Sequence, residues 1–391
     1  MKQSSRRVHW IGAVALFLVA LSVLVCFWRR PLLVRCRLPF QTRMAGVEEI
    51  VCRSASLQRL DVSRNVKLRR FDCYDNDLTE LRLSANSALE TLNCGANRLS
   101  TVFLPPSAPL REIDCEGNQL RHLDVSAYTS LVTLACGLNR LTHLDVRANR
   151  QIESLSCYGN DLTELDVSSN QELRQLQCSN HTIRTLDTAA LARLEELYCY
   201  ENQLSQLDLS HSVRLTRLFC GRNQLTALDV RANVMLECLH CEQNQLRSLD
   251  VSAHLYLKDL YCAANRIEEL RLGDNRQLDR VLCEDNRLTE LDLSGAPALR
   301  ILDCSHNDIG NLDLSANTNL LAVVCVSNRL SRLDVSCCPD LFNVDARGNR
   351  LNEIIVAAER PPHRLSYDGT PAIRRAGTKE TLQPVPRTRT E

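Results

Sequence analysis

The chain has 391 residues with 47 basic and 47 acidic side chains, 44% hydrophobic residues, 4% aromatics and 19 cysteines. That length allows two or three ordinary domains, but so few rings exclude a core built on Phe, Tyr and Trp, leaving Leu and Cys to fill it. Residues 1–46 hold eight Lys/Arg and no acid, 359–391 hold seven against four, and 47–358 are left with 32 basic against 43 acidic; an acidic middle excludes a nucleic-acid footprint, which needs a basic face.

The first predicted element follows a basic segment, 1–9. Residues 10–28 form an uncharged, apolar run of 19 with Trp10 and Trp28 at its ends. About 20 such residues cross a bilayer core as a helix, and Trp suits both interfaces. A transmembrane helix or signal anchor is therefore expected over 10–28. A cleaved signal peptide, which would release a secreted protein, is the alternative; Ala20-Leu21-Ser22 offers a passable cleavage site, although the apolar stretch continues past it. A lipoprotein cysteine at Cys26 is disfavoured by the bulky Val25 before it. Residues 29–46 read as a basic juxtamembrane linker and N-terminal cap suited to anionic lipid headgroups. Arg29, Arg30, Arg35, Arg37 and Arg43 make this flank at least as basic as Lys2, Arg6 and Arg7, so the positive-inside rule does not fix the orientation.

From residue 47 to 358 the sequence repeats with a period of 21. Fourteen cysteines from Cys52 to Cys325 follow one another at that spacing, and Ala346 takes the slot in a fifteenth unit. Asn stands three residues after the slot in thirteen of the fifteen units, Ala55 and His181 being the exceptions. A second half-unit reads Leu-Asp-Val/Leu, as in Leu165-Asp166-Val167, followed by a looser Asn at 65, 86, 149, 170, 233, 275 and 317.

One such turn cannot bury its own apolar side, whereas stacked turns share a continuous core. The alternation in L-x-C places its apolar residues on one face of a strand, and parallel strands stacked about 4.8 Å apart would make a rod of roughly 70 Å. The Asn column answers the need to pair the peptide groups of each bend. A straight line of fourteen thiols suits neither tetrahedral metal sites nor disulfides between side chains pointing the same way, so the cysteines read as small buried hydrophobes. Off the column lie Cys26, Cys36, Cys238 and the pair Cys337-Cys338, the pair being a candidate exposed thiol site near the C-terminal end. The Asp of Leu-Asp-Val/Leu occurs in eleven units; a calcium column is weighed and set aside, since bonding to neighbouring Ser, Thr and backbone groups accounts for it. His122 and His143 occupy equivalent slots and read as surface decoration.

The pattern L-x-x-L-x-C-x-x-N-x-L, followed by L-x-x-L-D-L-x-x-N, resembles the leucine-rich repeat, in the short nested 21-residue subclass known mostly from bacterial proteins. The resemblance implies a solenoid superhelix, with parallel strands on the concave face, short strand or extended segments on the convex face, and few helices. It also implies a binding module, not an enzyme, and it brings no cofactor and no metal.

Specificity in such a scaffold resides in the variable outward positions. In the slot before the cysteine, Tyr198, Phe219, His240, Tyr261 and Leu282 occupy five consecutive turns, and Tyr158 and Tyr200 lie in the slot after it nearby. These seven residues are the candidate partner-binding face, since exposed aromatic patches with polar rims tend to be binding sites. Glu196, Glu201, Glu242, Asp259, Glu284 and Asp285 are the expected acidic rim. Stacked rings that merely stabilise neighbouring strands are the competing account. Residues 359–391, rich in Pro, Arg and Thr, are expected to be a disordered tail. The expected function is binding or adhesion by a single-pass membrane protein whose repeats face the outside, with a protein the expected partner, another surface ligand the alternative, and no nucleic acid. A cytoplasmic-facing signalling adaptor or scaffold is the second reading, and an enzyme a distant third.

Overall fold

The computed structural model of the chain describes residues 46–377 and 381–382. The helix expected over 10–28 and the segments flanking it lie outside the described residues, and among those described no helix is long and apolar enough to cross a membrane. Every regular element described is a strand. Sixteen of them, from Glu49–Val51 to Arg364–Ser366, form one parallel sheet in chain order. Further strands pair on the opposite side of some turns, Glu80–Arg82 with Thr101–Phe103 and Ser248–Asp250 with Glu269–Arg271.

The period sets the register. Thr133, Leu134 and Ala135 face Ser154, Leu155 and Ser156, each 21 residues on, so like stacks on like. Leu134 points inward and is buried, with Leu131 and Cys136 beside it. None of the fourteen column cysteines is more than 5% exposed, and none of them is in a disulfide. Burial pushes the pKa up for those from Cys73 to Cys325, that of Cys178 to about 12, so they pack as neutral, compact apolar groups.

The asparagines tie each turn to the one before. Asn139 donates from Nδ2 to the carbonyls of Cys115 (3.0 Å) and Cys136 (3.1 Å) and accepts the Leu120 N–H on Oδ1 at 2.9 Å. The second Asn column repeats only the donating half of the device: Asn149 Nδ2 reaches the carbonyls of Val125 at 2.9 Å and Tyr128 at 2.8 Å, while its Oδ1 is buried without a partner. At two positions where Asn is missing from that column another side chain takes its place: Ser212 Oγ donates to the Leu191 carbonyl at 3.2 Å, and His254 Nε2 meets the Val230 carbonyl at 3.0 Å; Leu191 and Ala296 bring no donor. Cys338 fills the same slot, its Sγ 3.5 Å from the Asn317 carbonyl. The expected exposed pair is thus half enclosed: Cys338 is buried, Cys337 is half-buried, and their sulfurs lie 3.5 Å apart.

All eleven aspartates of the Leu-Asp-Val/Leu motif open a bend in the same way. The Oδ1 of each accepts the N–H two residues on, as in Ser126 to Asp124 at 3.0 Å and Arg231 to Asp229 at 3.1 Å, a side-chain turn that competes well with regular backbone pairing.

A further column was invisible in composition. The residue two after the cysteine slot has φ between +50° and +72° in all fifteen units from Ser54 to Gly348, yet only three of these are glycine. Left-handed backbone costs an ordinary L-residue roughly 1 kcal/mol. Here the turn needs it: it aims N–H groups such as that of Leu138 at the Tyr158 carbonyl of the next turn, 2.7 Å away.

The ladder does not stop at 358. Arg364–Ser366 pairs with Asn343–Asp345 as a sixteenth strand. On the opposite side Ala372–Arg375 pairs with Glu353–Val356, and the antiparallel Thr381–Leu382 closes that edge. The expectation of disorder from 359 is therefore corrected for residues 359–377. The last sheet edge needs a partner, and the closing turn supplies it with Tyr367 in the cysteine slot and Thr370 in place of Asn, which hides it from a search by period.

Asn139→Ala should cost about 3 kcal/mol, since it removes the partner of three carbonyls and one N–H at a buried site, whereas Arg140→Ala, on the exposed neighbour, should cost under about 0.5 kcal/mol. Urea denaturation of the two variants checks this, and equal costs would remove the bridging role from the Asn column.

Candidate functional site

Three columns of each sheet strand point outward: the residues three before, one before and one after the cysteine slot. The candidate ladder stands in the middle column. Tyr198 and Phe219 stack with centroids 4.8 Å apart and planes 20° from parallel, Phe219 and His240 at 4.3 Å and 40°, and His240 and Tyr261 at 4.0 Å and 31°. The 21-residue register produces this by placing Tyr198, Phe219, His240, Tyr261 and Leu282 directly opposite one another. The structure thus brings all five together.

The stack encloses part of itself. Tyr198, expected to be exposed, is only 3% accessible; Phe219 covers one face and its hydroxyl turns sideways to Glu196 Oε2 at 3.0 Å. Phe219, His240, Tyr261 and Leu282 are half-buried. Loss of water lowers the His240 pKa to about 4, so the ring in mid-stack is neutral at neutral pH.

Tyr158 and Tyr200 stand in the column after the cysteine slot, also half-buried. That column has its own rule. From Tyr74 to Val326 large and small side chains alternate strictly, with Gly95, Gly137, Ser179, Gly221, Ala263 and Ser305 as the small members. Each large side chain needs the space its small neighbour leaves. A Cβ on Gly137 would come within 2.7 Å of the Tyr158 ring, and one on Gly221 within 2.7 Å of Glu242 Oε1. Lying across Gly137, Tyr158 reaches back two turns to donate its hydroxyl proton to the Glu116 carboxylate.

The acidic rim divides in two. Glu196 lies 3.6 Å from Arg217, Asp259 3.8 Å from Arg280, and Glu201 pairs with Arg222, so these three are not the free acids that the sequence suggested. Glu242, Glu284 and Asp285 make no ion pair among the described residues, and Oε2 of both Glu242 and Glu284 is buried without a hydrogen-bond partner. Burial, followed by the nearby Asp303, pushes the Glu284 carboxyl up to about 7. Burial likewise raises Glu242 and, at the other end of the face, takes Asp114 to about 6. The signal for this was in the sequence, as the period-42 alternation that lays each carboxylate over a small residue.

A second apolar cluster escaped the sequence argument. Val213, Val234 and Leu255 repeat at the 21-residue spacing after the second half-unit and, with Met235 and Tyr256 beside them, are 44–55% exposed. His122 and His143 are both exposed, and among the described residues no group of three or more His, Cys, Asp or Glu is placed to hold a metal.

The functional domain of InlJ from Listeria monocytogenes, which includes a cysteine ladder, is 30% identical to this chain, with 80% of this chain and 74% of that one covered at a TM-score of 0.67. The chain belongs to the leucine-rich-repeat family. Two further leucine-rich-repeat folds superpose at lower identity. A protein of this family from Leptospira interrogans is 20% identical over 84% of this chain and 86% of its own, with a TM-score of 0.60. The Arabidopsis receptor kinase HAESA is 18% identical over 80% and 60%, with a TM-score of 0.66. No family model matches the sequence, and no curated protein does.

Within this repeat, Glu284 gives a direct test of the electrostatics. A carboxyl raised in the folded state stabilises fully below its unfolded pKa, near 4.5, and that contribution is lost as pH rises through about 7. Glu284→Gln should therefore stabilise the chain by about 2 kcal/mol at pH 8.5 and by little at pH 5. Thermal melts at the two pH values check it; an equal effect at both would place Glu284 in ordinary solvent.

Proposed function

We propose that this chain is a membrane-tethered binding module whose outward sheet face, read as the concave face of the repeat, holds a protein partner in adhesion or recognition. The observation that carries it is the ladder of four stacked rings ending on Leu282, set on a sheet face that no other part of the described chain covers. Rings held in fixed geometry offer contact area at little cost in side-chain entropy, which is what anchors of protein interfaces supply. The same fold carries a peptide hormone and a co-receptor in HAESA, a likeness of architecture that suits the reading.

The tether rests on the apolar run 10–28 with its two Trp residues. We place the repeats on the outer side, where neutral thiols sealed in a core stay reduced without help from the cytoplasm's chemistry. A reporter fused after Glu391 should accordingly read an extracytoplasmic C-terminus; a cytoplasmic signal would favour the adaptor reading instead.

The ladder itself is tested by Phe219→Ala with Tyr261→Ala, which leaves the buried Tyr198 in place. Each lost ring pair should cost about 1 kcal/mol of stability, too little to unfold the solenoid, as circular dichroism would verify. Affinity capture with the full chain should lose its partner protein by tenfold or more in this variant. Undiminished capture with the fold intact would move the docking face elsewhere.

A further inference from the structure

We propose that the segment docked on the ladder is an extended cationic peptide, whose Arg or Lys side chains are received by Glu242 and Glu284 beside His240, Tyr261 and Leu282. The inference rests on the docking reading above and names its partner chemistry.

The two columns that flank the rings differ. On the side preceding the ladder the charges are closed among themselves: Glu196 with Arg217, Asp259 with Arg280. On the other side Arg222, the cation nearest Glu242, is already paired with Glu201. Glu242 and Glu284 are left with no ion pair among the described residues and with one buried, unbonded carboxylate oxygen each. Asp285, beside Glu284, and Asp303, next after Leu282 in the column of the rings, add further acid; neither has an ion pair among the described residues, and Asp303 is held by Ser305, whose N–H it accepts at 3.0 Å. The ladder is therefore bordered along one flank by negative charge that the chain does not neutralise. A carboxylate that has lost water gains more from an added cation than a solvated one does.

The rings do not do this work themselves. Because they lie over one another with planes 20° to 40° from parallel, their faces are largely taken up by neighbouring rings, and the attraction of a ring for a cation belongs to its face. Ring edges and Leu282 suit the aliphatic stem of Arg or Lys, with the charged head passing on to the carboxylates.

Spacing narrows the partner. Glu242 and Glu284 are two turns apart, about 9.6 Å at the usual strand separation of about 4.8 Å, with the small Ala263 between them. An extended chain of polyproline II form brings every third residue to the same side after about 9.3 Å. A basic residue at every third position would match the two carboxylates.

The probe is therefore a fluorescein-labelled nonapeptide of three Arg-Pro-Pro triplets, titrated against the full chain by fluorescence anisotropy at low salt and pH 8, with a Glu-Pro-Pro counterpart as control. The Arg peptide should bind at least tenfold tighter than the Glu peptide. Glu242→Gln with Glu284→Gln, a nearly isosteric pair of changes whose folding circular dichroism verifies, should weaken it at least tenfold. Binding should also weaken at pH 5, where Glu284 takes up its proton, a change that a structural role would not produce. Absence of binding to the unaltered chain, equal binding of the two peptides, or full binding by the glutamine variant overturns the proposal. If Phe219→Ala with Tyr261→Ala abolishes binding while the glutamine variant does not, the cationic assignment falls and the ladder stands. The reverse pattern removes the ladder from docking and leaves the carboxylates as the cation site.

Discussion

The molecule depends on the pairing of its backbone at the bends. A coil of 21-residue turns changes direction repeatedly, and each change leaves peptide groups that neither the sheet nor water can satisfy. Asparagine resolves this because one short side chain both donates and accepts, and Asn139 uses both functions to bind its own turn to the preceding one. The bond set also explains the regularity. An amide that must reach carbonyls 24 and three residues earlier tolerates no added residue between them, and none is found over fifteen turns. The cysteines follow from the same constraint: the slot beside each bend admits a compact apolar group. InlJ, which also carries a cysteine ladder, shares this solution.

Much of this was legible because the framework speaks in columns. The inward Leu and Cys positions, the two Asn columns and the Leu-Asp-Val bends could be read from spacing alone, and the structure places them accordingly. What escaped was whatever does not repeat as a residue type. The left-handed position recurs in every unit but is filled by Ser, Ala, Leu, Glu and Arg as readily as by Gly, because the conformation is imposed by the bonds around it. The closing turn escaped because Tyr367 and Thr370 abandon both diagnostic columns. On the candidate face the order of the rings was legible, but the burial of Tyr198 was not. It depends on how closely Phe219 settles on it, a matter of ring tilt that no spacing encodes. The separation of the acids into paired and unpaired sets depends likewise on which way each long side chain leans.

That face sets the proposed recognition against folding. Glu242 and Glu284, each with one buried carboxylate oxygen that lacks a partner, and a neutral histidine in mid-stack make folding more sensitive to pH. The framework can carry such costs because every turn gains from two neighbours. Groups that destabilise one turn are held in place by the rest, and they stay poised for whatever relieves them.

The alternation of large and small residues beside the cysteine ladder has a consequence for how such a chain can grow or shrink. A solenoid is commonly thought to change length by any whole number of turns, because every interface is alike. Here the interfaces are of two kinds, since Tyr158 rests over Gly137 and Glu242 over Gly221. Removal of the single turn that bears Ser179 would set Tyr158 directly against Tyr200, with no small residue for the second ring to lie across. Removal of two turns would keep the order intact. The repeat of this surface is thus 42 residues, twice the unit of folding, and the outward face has a parity that the core beneath it lacks.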